Sequence, residues 1–140
     1  MATNLVRKGE VITGMAGPAA NLLMAIVGAL VAYALILPGF FSAEISYWIF
    51  IVCYYFSLVN LCLMFFNLLP IPPLDGSSII APFLSDKALR KYYSVQRYAL
   101  PVLMIVLIAV PFVFNGFSPI GIYISATAGN LSELLFSPFR

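Results

Sequence analysis

The chain has 140 residues, of which 63% are hydrophobic and 9% are charged, and its mean hydropathy is +1.05. Soluble domains carry roughly a quarter charged residues, so this composition predicts an integral membrane protein. The formal charge of +2 is small, which argues against nucleic acid as a partner and leaves the lipid bilayer as the expected one.

Three apolar segments are long enough to cross a bilayer as helices. A hydrocarbon core of about 30 Å needs about 20 helical residues, and residues 15–37, 45–69 and 98–117 reach that length without a charged side chain. Continuous apolar runs favour helices over the alternating strands of a barrel. The expected fold is therefore all-α, with residues 1–140 as a single transmembrane domain built as a polytopic helix bundle. Residues 118–139 mix polar and apolar side chains, and a re-entrant, an interfacial and a short helical placement all stay open.

The basic residues predict the orientation in the membrane. They form one group before the first predicted span and another between the second and third: Arg7 and Lys8, then Lys87, Arg90, Lys91 and Arg97. The loop 38–44 has neither Lys nor Arg, so we expect both groups and the N-terminus on the cytoplasmic side. The stretch SDKALRKYYSVQRY, residues 85–98, is predicted to be an amphipathic connector at the inner interface. Arg7 and Lys8 before an apolar run also resemble a signal peptide, although the run exceeds the usual length of about 7 to 15 residues.

The first predicted span carries a stripe of small residues at helical spacing. Its members are Gly17, Asn21, Ala25, Gly28 and Ala32. Small side chains let a second helix approach closely, so close packing is the expected role. Asn21 needs a hydrogen-bond partner in lipid and is expected to face the bundle interior. Pro18 is predicted to lie in the first turn of this helix, where its missing N–H costs little.

The second predicted span ends in the sequence NLLPIPPLDG, residues 67–76. Pro70, Pro72 and Pro73 remove backbone donors, so the helix is expected to break near Leu69. Asn60 and Asn67 lie seven residues apart and are expected to share an inward face.

Asp75 follows this break. A carboxylate at such a place commonly coordinates a cation or relays protons, and Gly76 permits a backbone conformation that other residues resist. The alternative is that Asp75 lies just outside the membrane and caps the next helix through Ser77 and Ser78.

Two motifs resemble a known family. NLLPIPPLDG resembles the NxxPxPxxDG signature of the site-2 protease family of intramembrane zinc metalloproteases, and GPAAN, residues 17–21, is similar to the Gly-Pro-x-x-Asn stretch of its compact bacterial and archaeal members. Motif order, spacing and the basic connector match over nearly the whole chain. The matching residues are Gly17, Pro18, Asn21, Asn67, Pro70, Pro72, Pro73, Asp75 and Gly76.

The resemblance implies a function and a location. Zinc is the implied cofactor, Asp75 the implied third zinc ligand, and transmembrane protein segments the implied substrates. Asn67 is implied to bind the substrate backbone or to orient the ligand, with a purely structural amide as the alternative. A multi-pass protein of a prokaryotic inner (plasma) membrane is the implied setting.

The family's other ligands come from an HExxH motif on an earlier helix, where two His bind zinc and the Glu acts as general base. This chain has no His. We therefore expect the C-terminal portion of such a protease, shortened in the cell, in gene prediction or by the choice of expressed segment. Alone it should be inactive and should not hold zinc tightly, and an HExxH-bearing segment in cis or in trans is the expected partner. A pseudoprotease that binds membrane segments without cutting them, and less favourably a transporter component, are the alternatives.

Overall fold

The computed structural model describes residues 2–71, 74–113 and 115–139, and every regular element within these ranges is helical. In chain order the elements are α1 Ala2–Ile36, α2 Ala43–Asn67, α3 Gly76–Ile80, a 3₁₀ turn Ala81–Phe83, α4 Asp86–Ser94, α5 Gln96–Val113, α6 Pro119–Ile124, a π-helical turn Ser125–Gly129, α7 Asn130–Leu135 and a 3₁₀ turn Ser137–Phe139. The predicted all-α class is confirmed.

Two of the described helices are long and apolar enough to cross a membrane, over Val11–Ile36 and Ala43–Asn67. Large apolar side chains point away from the protein along both, with Leu23 61% and Trp48 59% exposed. Contiguous exposed apolar surface of this kind is rare on soluble monomers and is typical of contact with lipid. The composition and these helices together indicate a membrane protein.

The start of α1 differs from the prediction. The helix begins at Ala2, so Pro18 lies in its interior and the placement of Pro18 in a first turn is wrong. Proline has no N–H to donate to the carbonyl four residues earlier, which here belongs to Gly14. Membrane helices tolerate such an interruption when neighbouring elements pack around it. Both Gly14 and Pro18 are buried, and α1 continues through the proline in that packed environment.

The small-residue stripe of α1 packs against α2. Ala25 and Ala32 are fully buried, and the Ser57 hydroxyl of α2 donates a hydrogen bond of 2.8 Å to the Ala25 carbonyl. A Cβ built on Gly28 would overlap the Ser57 hydroxyl oxygen and would lie 2.9 Å from a ring carbon of Phe56. The small residues of this stripe, and the missing side chain at Gly28 in particular, therefore allow the two helices to approach closely.

The C-terminal segment is a helix with a π-helical turn, and it packs on the α1–α2 pair. Ala128 is fully buried in a cluster with Ala25 and Leu61. The Tyr123 hydroxyl donates to the Phe65 carbonyl at 3.2 Å, and the Tyr33 hydroxyl donates to the carbonyl of Leu135. Residues 118–139 are thus largely helical, and their placement relative to the membrane stays a prediction.

The end of α5 also differs from the predicted third span. The helix stops at Val113, before the predicted end at residue 117. Asn115 and Gly116 follow with φ of 52° and 90°, and the Gly116 N–H bonds the Pro111 carbonyl at 2.7 Å. An Asn-Gly pair adopts left-handed backbone at low cost, which explains the early stop. A third crossing by this segment stays a prediction.

Candidate metal site

The α2 helix breaks where the prolines begin. It ends at Asn67, and Leu68 is its C-cap. Beyond it the chain advances by tight turns, with backbone hydrogen bonds of 2.8 Å from the Ile71 N–H to the Leu69 carbonyl and from the Leu74 N–H to the Ile71 carbonyl. The predicted break is therefore present. Pro72 and Pro73 lie outside the described residues.

Asp75 occupies the N-cap position of the short helix α3, but its side chain accepts no capping hydrogen bond. By contrast, the Ser42 and Ser85 hydroxyls do accept such bonds at the starts of α2 and α4. The alternative in which Asp75 serves as a side-chain helix cap is thus not what the structure shows. Its half-buried carboxylate remains available for another partner.

The Asp75 carboxylate lies against α1 at Gly17. A Cβ built on Gly17 would lie 2.5 Å from Oδ2 of Asp75 and 3.6 Å from its Cγ, so a larger residue here would force the carboxylate to move. The two motifs are thereby brought into direct contact, although they are far apart in the sequence. Gly17 provides the space that the carboxylate occupies.

A second glycine extends this contact by one helical turn. A Cβ on Gly14 would lie 2.9 Å from Cβ of Ser78 and 3.0 Å from the backbone oxygen of Asp75. The start of α3 therefore packs directly on the backbone of α1. This contact fixes the backbone at Asp75, whereas the Gly17 contact concerns its side chain.

The role of Gly76 differs from the predicted one. Its φ is not positive, so the expected special backbone conformation is wrong. A Cβ at this position would instead overlap the carbonyl oxygens of Leu68 and Leu69. Gly76 is required because the first residue of α3 lies on the carbonyls of the two residues that follow α2, and this close approach places Asp75 near the end of that helix.

The amides predicted to face inward are half-buried. Asn21 follows Gly17 by one turn of α1, and Asn67 is the last residue of α2. Neither side chain forms a hydrogen bond to another described residue, whereas the Asn60 amide donates to the Phe56 carbonyl of its own helix at 2.8 Å. The inward roles of Asn21 and Asn67 stay predictions.

One contact at the site was missed from the sequence. The Tyr92 hydroxyl of α4 donates a hydrogen bond of 2.7 Å to the Pro70 carbonyl in the broken segment. Burial, together with the neighbouring Tyr93, raises the pKa of the Tyr92 hydroxyl. The sequence signal for this residue, an aromatic beside basic residues, is equally typical of any membrane interface.

The described residues do not assemble a complete metal centre. They contain no group of three or more His, Cys, Asp or Glu side chains that could hold an ion, and the sequence has no His. A catalytic zinc site needs about three protein ligands. Asp75 fits the role of one ligand, since its carboxylate is half-buried and has no capping bond, but the donors beside it do not complete the set.

Comparisons with known proteins identify the family. The family model of Peptidase family M50 matches residues 41–110. The chain is 29% identical over 126 residues to YwhC of Bacillus subtilis, which is named as a candidate zinc metalloprotease. This match covers 84% of the chain and 50% of YwhC. The chain is 36% identical over 87 residues to zinc metalloprotease MJ0392 of Methanocaldococcus jannaschii, with coverage of 62% and 23%.

No solved structure matches the chain significantly. The chain spans half the length of YwhC and a smaller part of MJ0392. Zinc is the metal named for both relatives, in agreement with the predicted cofactor. Half of the chain matches the family model, and so the chain belongs to Peptidase family M50, the site-2 protease family.

Proposed function

We propose that this chain forms the Asp75-bearing part of an intramembrane zinc metalloprotease that hydrolyses peptide bonds in transmembrane substrates, with Asp75 as the third zinc ligand. One observation carries the proposal. The Asp75 carboxylate is half-buried at the break that follows α2, accepts no helix-capping bond, and lies against Gly17 of α1. A half-buried carboxylate of a membrane protein that is not used for capping favours a positive partner, and the family to which the chain belongs supplies zinc.

The remaining ligands come from outside these 140 residues. The sequence has no His, so an HExxH-bearing segment, joined in cis or bound in trans, provides two imidazoles and the general base. Relatives of greater length leave room for such a segment, because the chain covers only 50% and 23% of them.

The residues of this chain then have separable roles. Gly17 lets α1 cover one side of the carboxylate, Gly14 lets α1 pack on the backbone of Asp75, and Gly76 lets the start of α3 lie against the residues that follow α2. Asn67 ends α2 close to the break, where its amide is available to bind a substrate backbone or to orient Asp75. Bound zinc supplies Lewis-acid activation of the scissile carbonyl and of water.

The membrane arrangement is part of the proposal. The chain is multi-pass in a prokaryotic inner membrane, with the N-terminus and the basic α4 on the cytoplasmic side. The apolar helices over Val11–Ile36 and Ala43–Asn67 cross the bilayer. The apolar part of α5, Pro101–Val113, is shorter and forms most of a third crossing over residues 98–117.

The test is restoration of a complete site. Joining this chain to an upstream segment with the family's HExxH helix should yield a protein that binds zinc and cleaves a reporter transmembrane substrate in detergent. Asp75→Asn keeps the shape but removes the charge, and should lower zinc affinity by at least about 10- to 100-fold, the loss seen when mere supporting groups are removed. Glu44→Gln, which neutralises an exposed carboxylate in the first turn of α2, is the matched control and should change neither property.

The same experiment separates the alternatives. Asn67→Ala should reduce cleavage with zinc retained if the amide contacts substrate, and should reduce zinc if it orients the ligand. Zinc binding without cleavage in the joined protein, together with binding of the reporter segment, would favour the pseudoprotease. Full activity of zinc-loaded Asp75→Asn would show that Asp75 is not a ligand.

A further inference from the structure

The segment between α2 and α3, which carries Asp75, has short-range backbone hydrogen bonds in its described part. Its turns bond Leu69 to Ile71, Ile71 to Leu74, and Leu74 to Ser77. Each of these bonds spans two or three residues, so they resist displacement less than the continuous hydrogen bonds of a long helix. Its prolines cannot donate, and carbonyls past a helix end have no partner within the helix.

One side-chain hydrogen bond joins this segment to a different part of the fold. The Tyr92 hydroxyl reaches the Pro70 carbonyl at 2.7 Å across 22 residues of sequence. The Tyr92 ring packs edge-on against Tyr93 with a centroid distance of 5.7 Å, so the donor itself is held within α4.

The bond suits a permanent contact rather than a switch. Burial and Tyr93 raise the pKa of the Tyr92 hydroxyl, so the phenol stays protonated and able to donate throughout the neutral range. The acceptor is an amide carbonyl, which does not titrate. Charge changes in the physiological range therefore leave the contact intact.

From these contacts we propose that Tyr92 is a positioning residue for Asp75. By holding the Pro70 carbonyl, it restrains the start of the broken segment and so favours the position in which the Asp75 carboxylate lies against Gly17. The inference rests on the proposed function in that the benefit is a correctly placed zinc ligand. The hydrogen bond itself is a property of this chain and is testable without zinc.

The first experiment measures the segment directly. Leu74→Cys, in a background without Cys53 and Cys62, places a thiol at a half-buried position next to Asp75, and its reaction with a soluble thiol reagent reports how often the segment opens. Removing the hydroxyl with Tyr92→Phe should raise the labelling rate about 2- to 10-fold, the range expected from one net hydrogen bond. Tyr98→Phe, which alters an exposed tyrosine of α5, should leave the rate unchanged.

The second experiment measures the consequence in the protein joined to an HExxH-bearing segment. Tyr92→Phe should weaken zinc binding by the same 2- to 10-fold, with KM for the reporter substrate unchanged and kcat at saturating zinc close to that of the parent. A purely structural role would lower the melting temperature and the folded yield without changing zinc affinity of the folded fraction.

Each outcome has one meaning. Equal labelling of Leu74→Cys with and without the Tyr92 hydroxyl would overturn the proposal whatever the fate of proteolysis. Faster labelling with unchanged zinc affinity would show that the bond holds the segment but does not position the ligand, which also overturns it. Zinc binding that survives Asp75→Asn would refute the proposed function instead, because that result does not depend on Tyr92.

Discussion

Replacing Gly17 with alanine is expected to damage the metal site without damaging the fold. The new Cβ would lie 2.5 Å from Oδ2 of Asp75, whereas ordinary contact begins at 3.4 Å. The carboxylate must therefore move by about 0.9 Å, several times the tolerance of about 0.2 Å within which metal–ligand distances hold. Because the atom that must move is the far end of a flexible side chain, the backbone can stay where it is.

The stability of α1 should move in the opposite direction. Alanine is favoured over glycine within a helix by up to about 1 kcal/mol, so Gly17→Ala should melt at the same temperature as the parent or higher. Zinc affinity of the joined protein should nevertheless fall by about 10- to 100-fold, as for other losses of ligand support, and substrate cleavage at limiting zinc should fall with it.

Two other glycines of α1 serve as references for this prediction. Gly9 has no atom within 4 Å of a built Cβ, so Gly9→Ala should show the gain in helix stability and no effect on zinc. Gly14→Ala meets Ser78 and the backbone of Asp75, and should lower the melting temperature itself. Zinc titration and thermal unfolding in detergent are the measurements. Zinc affinity of Gly17→Ala equal to that of Gly9→Ala would refute the reasoning, since the carboxylate would then bind metal from some place other than beside Gly17.

Three further predictions concern orientation, packing and pH. Single cysteines at Ser42 and Ser85, in a background free of the native cysteines, should label from opposite faces of the membrane, and labelling from one face would overturn the topology. Gly28→Ala should lower the free energy of unfolding by about 1–3 kcal/mol relative to Gly9→Ala, because its Cβ would overlap α2; an unchanged melting curve would contradict this packing. The ratio of labelling rates with and without the Tyr92 hydroxyl should stay constant from about pH 6 to 9. The pKa of this phenol is raised above its ordinary value of about 10, so the hydroxyl stays protonated and able to donate over that range. That ratio should approach one only at higher pH, and a decline near neutrality would show that another group controls the segment.

The sequence predicts the features of this fold that depend on local chemistry. Long uncharged runs indicated the two apolar helices, because length and hydropathy suffice for that inference. Prolines after Asn67 indicated the end of α2 for an equally local reason, the loss of backbone donors. A local signal of the same kind, the Asn115–Gly116 pair after α5, was missed although such a pair favours left-handed backbone.

The features that the sequence did not predict depend on contacts between distant residues. The position of Pro18 before an apolar run predicts the first turn of a helix. Only the structure, in which Pro18 is buried within α1, shows that the helix continues through it. Gly76 reads as a conformational glycine, whereas its neighbours in space are the carbonyls of Leu68 and Leu69. No periodicity or motif joins Tyr92 to Pro70. In each case the residue type was informative, but the sequence did not show which residue it contacts in the folded protein.

Three different physical effects converge on the placement of one carboxylate. The missing side chain at Gly17 leaves room for the side chain of Asp75. The close backbone approach at Gly76 lets α3 begin beside the residues that follow α2. The Tyr92 hydroxyl binds the Pro70 carbonyl. None of these three contacts is a hydrogen bond or an ion pair to the Asp75 carboxylate, so they leave its oxygens able to bind another group. A group arranged in this way is costly to leave unpaired in an apolar environment. In the proposed site a cation completes this arrangement. Because α1 covers the Gly17 side of the carboxylate, we expect the other ligands to approach from a side that α1 leaves open.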